Sequence, residues 1–478
     1  MLIGRTEERK KLENAYRSEY SEFIAVYGRR RVGKTFLIRE TFGYRFSFQH
    51  AGLSKGNMKV QIDEFCRSLY KAGMKGVLDR NFRKPANWGE AFFLLETFLD
   101  QSPGDQKKIV FIDELSWMDT PKSDLIPALE SFWNGWASAR KDILLIICAS
   151  ATSWILNKVV HDKGGLHNRL TGQIKLNPFT LKECEMFVFS KNIVMNRYQI
   201  LECYMIMGGI PYYWKFLEKG KSLEQNIDNI FFADDAPLRD EFKYLYQALF
   251  KKPEVYIQFV TALGKKKAGM TRDELIEAAD VTNSGAVTKK LEELENCGFI
   301  RKYYEFGNRR KDAVYQLIDN FTLFYFKFMD PMPSDHHFWE NNLDSPTVNA
   351  WCGLAFERVC LEHIPQIKNR LGISGVLTQT NAWSCSADLD RGIFGSQIDL
   401  LIVRRDQIIN LCEMKYSRLD YTVSKETDLS IKRKIHDFRT ITKTKYAIHP
   451  TIITPYGLME NSYAGNIQAV ITAEDLFQ

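Results

Sequence analysis

The chain has 478 residues, of which 45% are hydrophobic and 26% are charged, and a formal net charge of +6 at pH 7. This length suggests about three domains with their own cores, and the mild charge permits a nucleic-acid partner without arguing for one. The hydrophobic runs stay below transmembrane length, and residues 1–5 lack the shape of a signal peptide, so we expect a cytoplasmic protein without a membrane partner. Nine cysteines without a C-x-x-C pair predict reduced core thiols rather than a disulfide framework or a zinc site.

Residues 1 to 177 alternate between strand-like and helical patterns, which predicts an α/β fold with a parallel sheet covered on both faces. Strands are predicted at 23–27, 44–49, 108–112, 143–149 and 173–176, and the helices between them include 57–72 and 89–100. This segment is the predicted P-loop NTPase core.

The first predicted strand leads into the octapeptide GRRRVGKT, residues 28–35, which fits the phosphate-binding pattern G-x-x-x-x-G-K-[ST]. In that pattern, backbone N–H groups and the lysine hold nucleotide phosphates, and the hydroxyl ligates Mg²⁺. We therefore assign Lys34 to the phosphates and Thr35 to the metal. The candidate nucleotide-binding residues are Gly28, Arg29, Arg30, Arg31, Val32, Gly33, Lys34 and Thr35. The three arginines occupy freely variable positions and are expected to be solvated rather than catalytic.

The third predicted strand ends in two acidic residues, in the sequence KIVFIDE at 108–114. Asp113 is expected to hold Mg²⁺, directly or through water, and Glu114 to polarise the attacking water, because hydrolysis needs a base near the γ-phosphate. A buried strand with a solvated acidic end would give the same pattern alone. The preceding phosphate-binding loop, at this separation, favours a nucleotide site that uses ATP and Mg²⁺.

An ordered set of motifs over roughly residues 1–240 resembles the archaeal-type ATPase family, in the signal-transducing branch related to AAA+ proteins. The set comprises Gly4-Arg5-x-x-Glu8, the loop 28–35, Asp113-Glu114, Ser150 and Gly208-Gly209-Ile210-Pro211. The resemblance implies that the strand ending at Asp113 lies apart from the first strand. It also implies that the N-terminal segment and the turn containing Pro211 line the adenine pocket, and that Ser150 touches the γ-phosphate or its water. Ala149 departs from the glycine that such proteins often have there.

Arg169 is a candidate arginine finger or nucleotide sensor, because delocalised cationic donors stabilise charge on a phosphoryl group in its transition state. A surface arginine that pairs with a carboxylate is the alternative interpretation.

The middle of the chain becomes helical, and we predict a helical lid at 178–250, a winged helix at 251–320 and an aromatic connector at 321–344. The winged helix is predicted from helices that open at Thr271 and Ser284, followed by two strand-like pieces that flank the basic turn 307–311. This outline is typical of DNA binding. Related ATPases also use such domains as a lid or relay, so both roles stay open.

Residues 345–478 are predicted to form a last α/β unit, in which strands 398–403 and 408–415 make a hairpin. Glu413 and Lys415 are two residues apart and share a strand face, and the hairpin can bring Asp399 beside Glu413. Two carboxylates and a lysine can hold Mg²⁺ or Mn²⁺ and activate water for phosphodiester cleavage. Glu357, on a predicted helix upstream, could add a carboxylate. A hairpin with a structural salt bridge is the alternative.

This pattern resembles the PD-(D/E)xK nuclease superfamily, and more narrowly the C-terminal domain often fused to archaeal-type ATPases. The resemblance implies a restriction-endonuclease-like fold, with Asp399 and Glu413 as metal ligands, Lys415 stabilising a reacting oxygen and Glu357 supporting them. Ile398 stands before Asp399, where the superfamily name has proline. A degenerate domain that does not cut nucleic acid is therefore an alternative.

The sequence therefore predicts an ATPase whose nucleotide state is coupled to a winged helix and to a metal-dependent nuclease-like domain acting on nucleic acid, with DNA favoured. An ATP-switched DNA-binding regulator with an inactive nuclease-like domain is the alternative. A scaffold that uses ATP only to hold a conformation is disfavoured by Glu114, since such a protein needs no base. The sequence leaves the oligomeric state open, with a homo-oligomer as one option.

Overall fold

Five short apolar strands and the helices between them form the first of two units, residues 1–178, and the second unit comprises residues 179–478. The computed structural model describes residues 2–79, 82–102, 106–161, 164–166, 168–250, 252–307 and 313–478. The strands of the first unit are β1 (Glu22–Tyr27), β2 (Phe48–Ala51), β3 (Lys108–Asp113), β4 (Ile143–Ala149) and β5 (Gly172–Lys175). Its helices are α1 (Thr6–Arg17), α2 (Lys34–Thr41), α3 (Met58–Ala72), α4 (Trp88–Gln101), α5 (Leu115–Met118), α6 (Leu125–Ser131) and α7 (Thr152–Ile155).

All strand pairs of the first sheet are parallel, in the order β2-β3-β4-β1-β5. Strand β4 lies between β1 and β3, so the strand that ends at Asp113 is separated from the first strand, as the family resemblance implied. Every residue of β3 and β4 is buried, which fits a parallel sheet covered on both faces. The carboxyl ends of β1, β3 and β4 meet at one edge of this sheet.

The position predicted for the second strand, 44–49, is wrong by several residues, because β2 begins at Phe48. Gly43 and Tyr44 have φ angles of 57° and 60°, a left-handed conformation that a strand does not contain. This turn follows the end of α2, and the chain becomes extended only after it.

The second unit begins with helices and continues into two sheets. Its helices are α8 (Leu181–Ser190), α9 (Arg197–Met207), α10 (Pro211–Trp214), α11 (Leu223–Ile227), α12 (Glu241–Leu249), α13 (Pro253–Gly264), α14 (Arg272–Ala278), α15 (Gly285–Asn296), α16 (Asn320–Phe324), α17 (Phe338–Asn342), α18 (Pro346–Glu362), α19 (Ile364–Arg370), α20 (Lys425–Thr442) and α21 (Ala473–Leu476). Its strands are β6 (Met270–Thr271), β7 (Ile300–Tyr303), β8 (Val314–Leu317), β9 (Thr378–Cys385), β10 (Ser396–Arg404), β11 (Ile408–Met414), β12 (Ala447–Ile453) and β13 (Ala469–Ile471).

The smaller sheet has the order β6-β8-β7, with antiparallel pairs. Along the chain, β6 follows α13, and β7 and β8 follow α14 and α15. Most of the predicted basic turn falls outside the described residues, since 308–312 are not described.

The larger sheet is mixed, in the order β13-β12-β11-β10-β9. Strands β9, β10 and β11 pair antiparallel, whereas β12 pairs parallel with β11 and with β13. Strands β10 and β11 form the predicted hairpin, and its turn contains Gln407 with a φ of 65°. The C-terminal part of the chain is therefore an α/β arrangement around a mixed sheet.

The segment of sequence between β8 and β9 is rich in buried aromatic side chains. Phe321, Phe324 and Phe328 are at most 5% exposed, and Phe324 and Phe328 contact Trp339 and Trp351 with ring centroids 5.3–5.6 Å apart. None of the helices in the described part of the chain is long and apolar enough to cross a membrane. The finer division of residues 179–478 into lid, winged helix, connector and nuclease-like domain stays a prediction.

Candidate functional sites

The loop between β1 and α2 has the backbone that a phosphate-binding loop needs. Gly28 has a φ of 148°, and Gly33, which precedes α2, has a φ of 92°. A Cβ atom on Gly28 would lie 2.2 Å from the Leu176 carbonyl oxygen, whereas one on Gly33 would meet nothing within 4 Å. Gly28 therefore lets the loop approach the end of β5, and Gly33 leaves the start of α2 open to a ligand.

Replacing Gly28 with alanine should destabilise the first unit and weaken ATP binding. The added methyl group would have to displace the Leu176 backbone, and backbone strain of this kind costs about 1–3 kcal/mol. Thermal unfolding and ATP titration of Gly28→Ala measure both effects. Gly135→Ala is the matched control, because a Cβ there has no neighbour within 4 Å; equal losses in both variants would contradict the assignment.

The Lys34 ammonium group lies inside the loop. Its Nζ donates to the carbonyl oxygens of Gly28 and Arg29, at 2.9 and 3.0 Å, and to the hydroxyl of Ser150 at 3.1 Å. Lys34 is 5% exposed. The side chain thus points across the space between the loop and the end of β4, where a lysine can reach a phosphate that the loop holds.

Two hard oxygen ligands converge beside Lys34. The Thr35 hydroxyl donates to Asp113 Oδ2 at 2.7 Å, and Asp113 Oδ1 accepts from the Glu114 N–H at 2.9 Å. A hydroxyl and a carboxylate at this distance fit Mg²⁺, which prefers oxygen ligands. The donor set, the open glycine and the buried lysine together fit a magnesium-nucleotide complex.

Glu114 and Ser150 are joined at the end of the sheet. Ser150 donates from its hydroxyl to Glu114 Oε1 at 2.5 Å and from its backbone N–H to Oε2 at 3.2 Å. Glu114 has a left-handed backbone, with φ 47°, which turns its side chain away from the direction of β3. Because Lys34 also binds Ser150, these three side chains form one hydrogen-bonded chain from the phosphate-binding loop to the candidate base.

The loop arginines are not all solvated, which corrects the expectation from the sequence. Arg29 is 6% exposed, and Arg30 and Arg31 are only partly exposed. The loop passes close to the Leu176 backbone at the neighbouring Gly28, which leaves little room for solvent around Arg29. Arg5 is also buried and donates to the Asn177 carbonyl at 2.7 Å, so it ties the N-terminal segment to the residues that follow β5.

Two further candidate residues, Arg169 and Pro211, belong to different units. Arg169 is exposed in the loop before β5, and its role as a finger or sensor stays a prediction. Pro211 occupies the first turn of α10 in the second unit. The turn before it packs closely, since a Cβ on Gly209 would lie 1.9 Å from the Phe179 carbonyl oxygen. Its adenine-binding role also stays a prediction.

A second group of charged side chains gathers at the β10–β11 hairpin. Leu400 pairs with Cys412, and Asp399 and Glu413 are the next residues along the two strands, so the hairpin places them side by side. Lys415 Nζ lies 2.8 Å from Glu413 Oε1. Glu357 reaches the group from α18, because Lys267 Nζ lies 2.8 Å from Glu357 Oε2 and 3.8 Å from Asp399 Oδ2.

Lysine residues neutralise each carboxylate in this group. Lys434, on α20, lies 2.6 Å from Glu413 Oε2. Lys267, in the loop before β6, lies 2.8 Å from both oxygens of Glu357 and 3.8 Å from Asp399 Oδ2. Sequence reasoning missed both lysines. Each stands in a basic run, 265–267 and 432–434, but such runs are usually solvated, and nothing in them indicates which lysine turns inward.

The pKa values reflect this crowding. Burial and the nearby Asp399 carboxylate raise the pKa of Glu357, against the opposing effect of Lys267. Burial also acts to raise the pKa of Glu413, but Lys434 and Lys415 outweigh it, so the net shift is downward. Burial lowers the pKa of Lys415, and Glu413 reverses this to a net rise. Glu413 and Lys415 are therefore held as an ion pair at neutral pH.

The three carboxylates do not form a ready-made metal cage. Within the described residues, the oxygens of Glu357, Asp399 and Glu413 do not all come within 4.8 Å of one another. A tighter set comprises Asp228, His337 and Glu340. Both oxygens of Asp228, however, accept backbone N–H groups at the start of α17, from Trp339 at 2.7 Å and Glu340 at 3.1 Å. That set is explained by helix capping.

Comparison with known proteins supports an ATPase domain in the first part of the chain. Residues 2–217 match the family described as an ATPase domain predominantly from Archaea. Over 379 residues the chain is 28% identical to the uncharacterized protein MJECL04 of Methanocaldococcus jannaschii, covering 77% of this chain and 78% of that one. The chain thus carries an archaeal-type ATPase domain with a P-loop fold, in agreement with its sheet order and its phosphate-binding loop.

The solved structures that the chain is similar to share less of its sequence. The Walker-type ATPase PABY2304 of Pyrococcus abyssi is 16% identical with a TM-score of 0.49, over 68% of this chain and 96% of that chain. The ORC2 protein of Aeropyrum pernix is 14% identical with a TM-score of 0.41, over 66% of this chain and 90% of that chain.

Proposed function

We propose that this protein couples ATP binding and hydrolysis in its first unit to a metal-dependent, nuclease-like domain that acts on nucleic acid, with DNA the favoured target. The observation that carries the second part is the gathering of Asp399, Glu413, Lys415 and Glu357 from two strands and a helix. The sequence pattern alone is weak evidence for a site. The convergence of residues from the β10–β11 hairpin and from α18 supports it.

In the ATPase domain, Lys34 and the backbone of the loop would hold the phosphates, and Thr35 with Asp113 would hold Mg²⁺. The metal ion neutralises negative charge that develops on the phosphates. Glu114 would accept a proton from the attacking water. Ser150 would contact the γ-phosphate or that water, a role supported by its hydrogen bonds to both Lys34 and Glu114.

In the nuclease-like domain, Asp399 and Glu413 would hold a divalent metal ion, and Glu357 would support them from α18. Carboxylate oxygens suit Mg²⁺ or Mn²⁺. Lys415 directly follows β11, contacts Glu413 Oε1 at 2.8 Å and would stabilise negative charge on a phosphate oxygen during cleavage. Against the effect of burial, Lys434 and Lys415 hold the pKa of Glu413 below its usual range, so this carboxylate is ionised, as metal ligation requires.

Residues 251–320 would form the winged helix that links these activities. The order α13-β6-α14-α15-β7-β8, with a small antiparallel sheet, supports this assignment. On the second helix of the motif, Lys289 is exposed, whereas Thr288 accepts a hydrogen bond from Arg272 at 3.2 Å. The helix could therefore contact a phosphate backbone through Lys289, and the basic turn Arg309, Arg310 and Lys311 would add to it.

A DNA-binding regulator with an inactive nuclease-like domain is the second candidate. One observation favours it: every carboxylate of the candidate metal site is already paired with a lysine. In that case the winged helix would bind DNA under control of ATP, and the C-terminal domain would contribute only structure.

A cleavage assay separates the two functions. Wild-type protein should cut single- or double-stranded DNA or RNA in the presence of Mn²⁺ or Mg²⁺, with or without ATP, and Asp399→Asn should not, because it removes a charged metal ligand. Asp406→Asn is the matched control, since Asp406 lies in the same hairpin but pairs with Arg404. Binding of DNA without cleavage in all three proteins would favour the regulator.

A further inference from the structure

The loop between α13 and β6 delivers one lysine to the nuclease-like site. The carbonyl oxygen of Lys267 accepts hydrogen bonds from Gln316 at 2.6 Å and from Arg358 at 2.9 Å. Gln316 and Arg358 are 3% and 5% exposed. A Cβ on Gly269, which has a φ of 82°, would lie 2.4 Å from the Tyr315 carbonyl oxygen. Two buried donors and a close backbone contact therefore fix the main chain of this loop.

The Lys267 side chain spans the gap between two acids from different elements. Its Nζ lies 2.8 Å from both oxygens of Glu357 on α18 and 3.8 Å from Asp399 Oδ2 on β10. One ammonium group thus serves two carboxylates that would otherwise repel each other. A divalent cation ligated by this pair would need the same oxygens and the same space.

The exposure of these groups leaves the ammonium group a path into solvent. The side chains of Glu357 and Asp399 are 13% and 28% exposed, whereas that of Lys267 is 38% exposed. The lysine therefore reaches the acids from the solvent side. Rotation about its four-carbon stem can move Nζ into water while Gln316 and Arg358 keep the backbone in place.

We infer that Lys267 is a built-in counter-ion that occupies the Glu357–Asp399 pair and must be displaced before a divalent cation binds there. This inference rests on the proposed nuclease-like site and adds its regulation: the site is closed by a lysine from the winged-helix segment.

Divalent-cation titration tests this competition. Mn²⁺ binding to the full chain without nucleotide is measured by calorimetry for wild type, Lys267→Met and Lys266→Met. If Lys267 occupies the carboxylate pair in about nine molecules of ten, its replacement should tighten Mn²⁺ binding about tenfold. Lys266 is the matched control, because it lies one residue away and pairs with Glu274 at 2.9 Å. Asp399→Asn in the Lys267→Met background should abolish this binding and thereby assign it.

A second measurement needs no substitution at Lys267. Acylation of lysine amines in the wild-type protein, followed by mass spectrometry, should label Lys267 faster when Mn²⁺ is present, because the cation releases the amine. The labelling rate of Lys266 should not change. This result holds even if Lys267→Met folds poorly.

The outcomes are distinct. Tighter Mn²⁺ binding in Lys267→Met without any nucleic-acid cleavage would support the counter-ion and contradict the nuclease function. Equal Mn²⁺ affinity in wild type and Lys267→Met, or Mn²⁺-independent labelling of Lys267, would overturn the inference. Absence of Mn²⁺ binding in every variant would overturn both the inference and the proposed metal site.

Discussion

Replacing Glu114 with glutamine should leave ATP affinity near the wild-type value and slow hydrolysis by about 10²–10⁴-fold, the usual contribution of a general base. The amide has the shape of the carboxylate, so its oxygen can still accept a hydrogen bond from the Ser150 hydroxyl, which lies 2.5 Å from Glu114 Oε1. It cannot accept a proton from water. Lys34, Thr35 and Asp113 stay unchanged, so the phosphates and the metal ion should still bind.

Calorimetric ATP titration and steady-state phosphate release measure these two quantities. Glu64→Gln is the matched control, because Glu64 is a surface acid that pairs with Arg67 on α3, and it should leave both quantities unchanged. Lys34→Ala should instead abolish binding, since it removes the cation from the loop. Equal turnover in Glu114→Gln and wild type would contradict the assignment of the base.

Replacing Lys415 with methionine should reduce nucleic-acid cleavage by about 10²–10³-fold, the cost of losing one group that stabilises developing charge. ATP hydrolysis should be unaffected, because the phosphate-binding loop belongs to the other unit. Divalent-cation binding should survive as well. Glu413 keeps its second partner, since Lys434 lies 2.6 Å from Oε2, so the carboxylate stays ionised.

Cleavage rate, Mn²⁺ affinity and ATP turnover are measured together for Lys415→Met and for Lys425→Met, which changes an exposed lysine at the start of α20. Only Lys415→Met should lose cleavage. If its Mn²⁺ affinity falls in proportion to its cleavage rate, Lys415 serves the metal ligands rather than the reacting oxygen, and its assigned role is wrong.

The ATPase domain could be predicted from the sequence because its signals are local. Strand β4 coincides with the predicted 143–149, since a run of apolar residues bounded by polar ones leaves little choice. The motifs around Lys34 and Asp113 each follow or close a predicted strand. The carboxyl ends of such strands must meet at one edge of a parallel sheet. The second strand was misplaced because the left-handed turn at Gly43 and Tyr44 carries no strong pattern, and tyrosine seldom adopts that conformation.

The charged group at the β10–β11 hairpin could be predicted only in part. The hairpin register brings Asp399 beside Glu413, and this follows from the length of the turn between two apolar strands. The approach of Lys267 does not follow from any local pattern, because it depends on how the loop before β6 packs against α18 through Arg358. Long-range packing of this kind leaves no periodic trace in the sequence.

The chain would carry two separate sites for phosphate chemistry, and one paired assay tests this proposal. ATP turnover and Mn²⁺-dependent nucleic-acid cleavage are measured in the same samples of wild type, Glu114→Gln and Asp399→Asn. We expect Glu114→Gln to lose turnover, and Asp399→Asn to lose cleavage while it keeps wild-type turnover. Cleavage that persists in Asp399→Asn, or turnover that falls with cleavage in that variant, would contradict the claim.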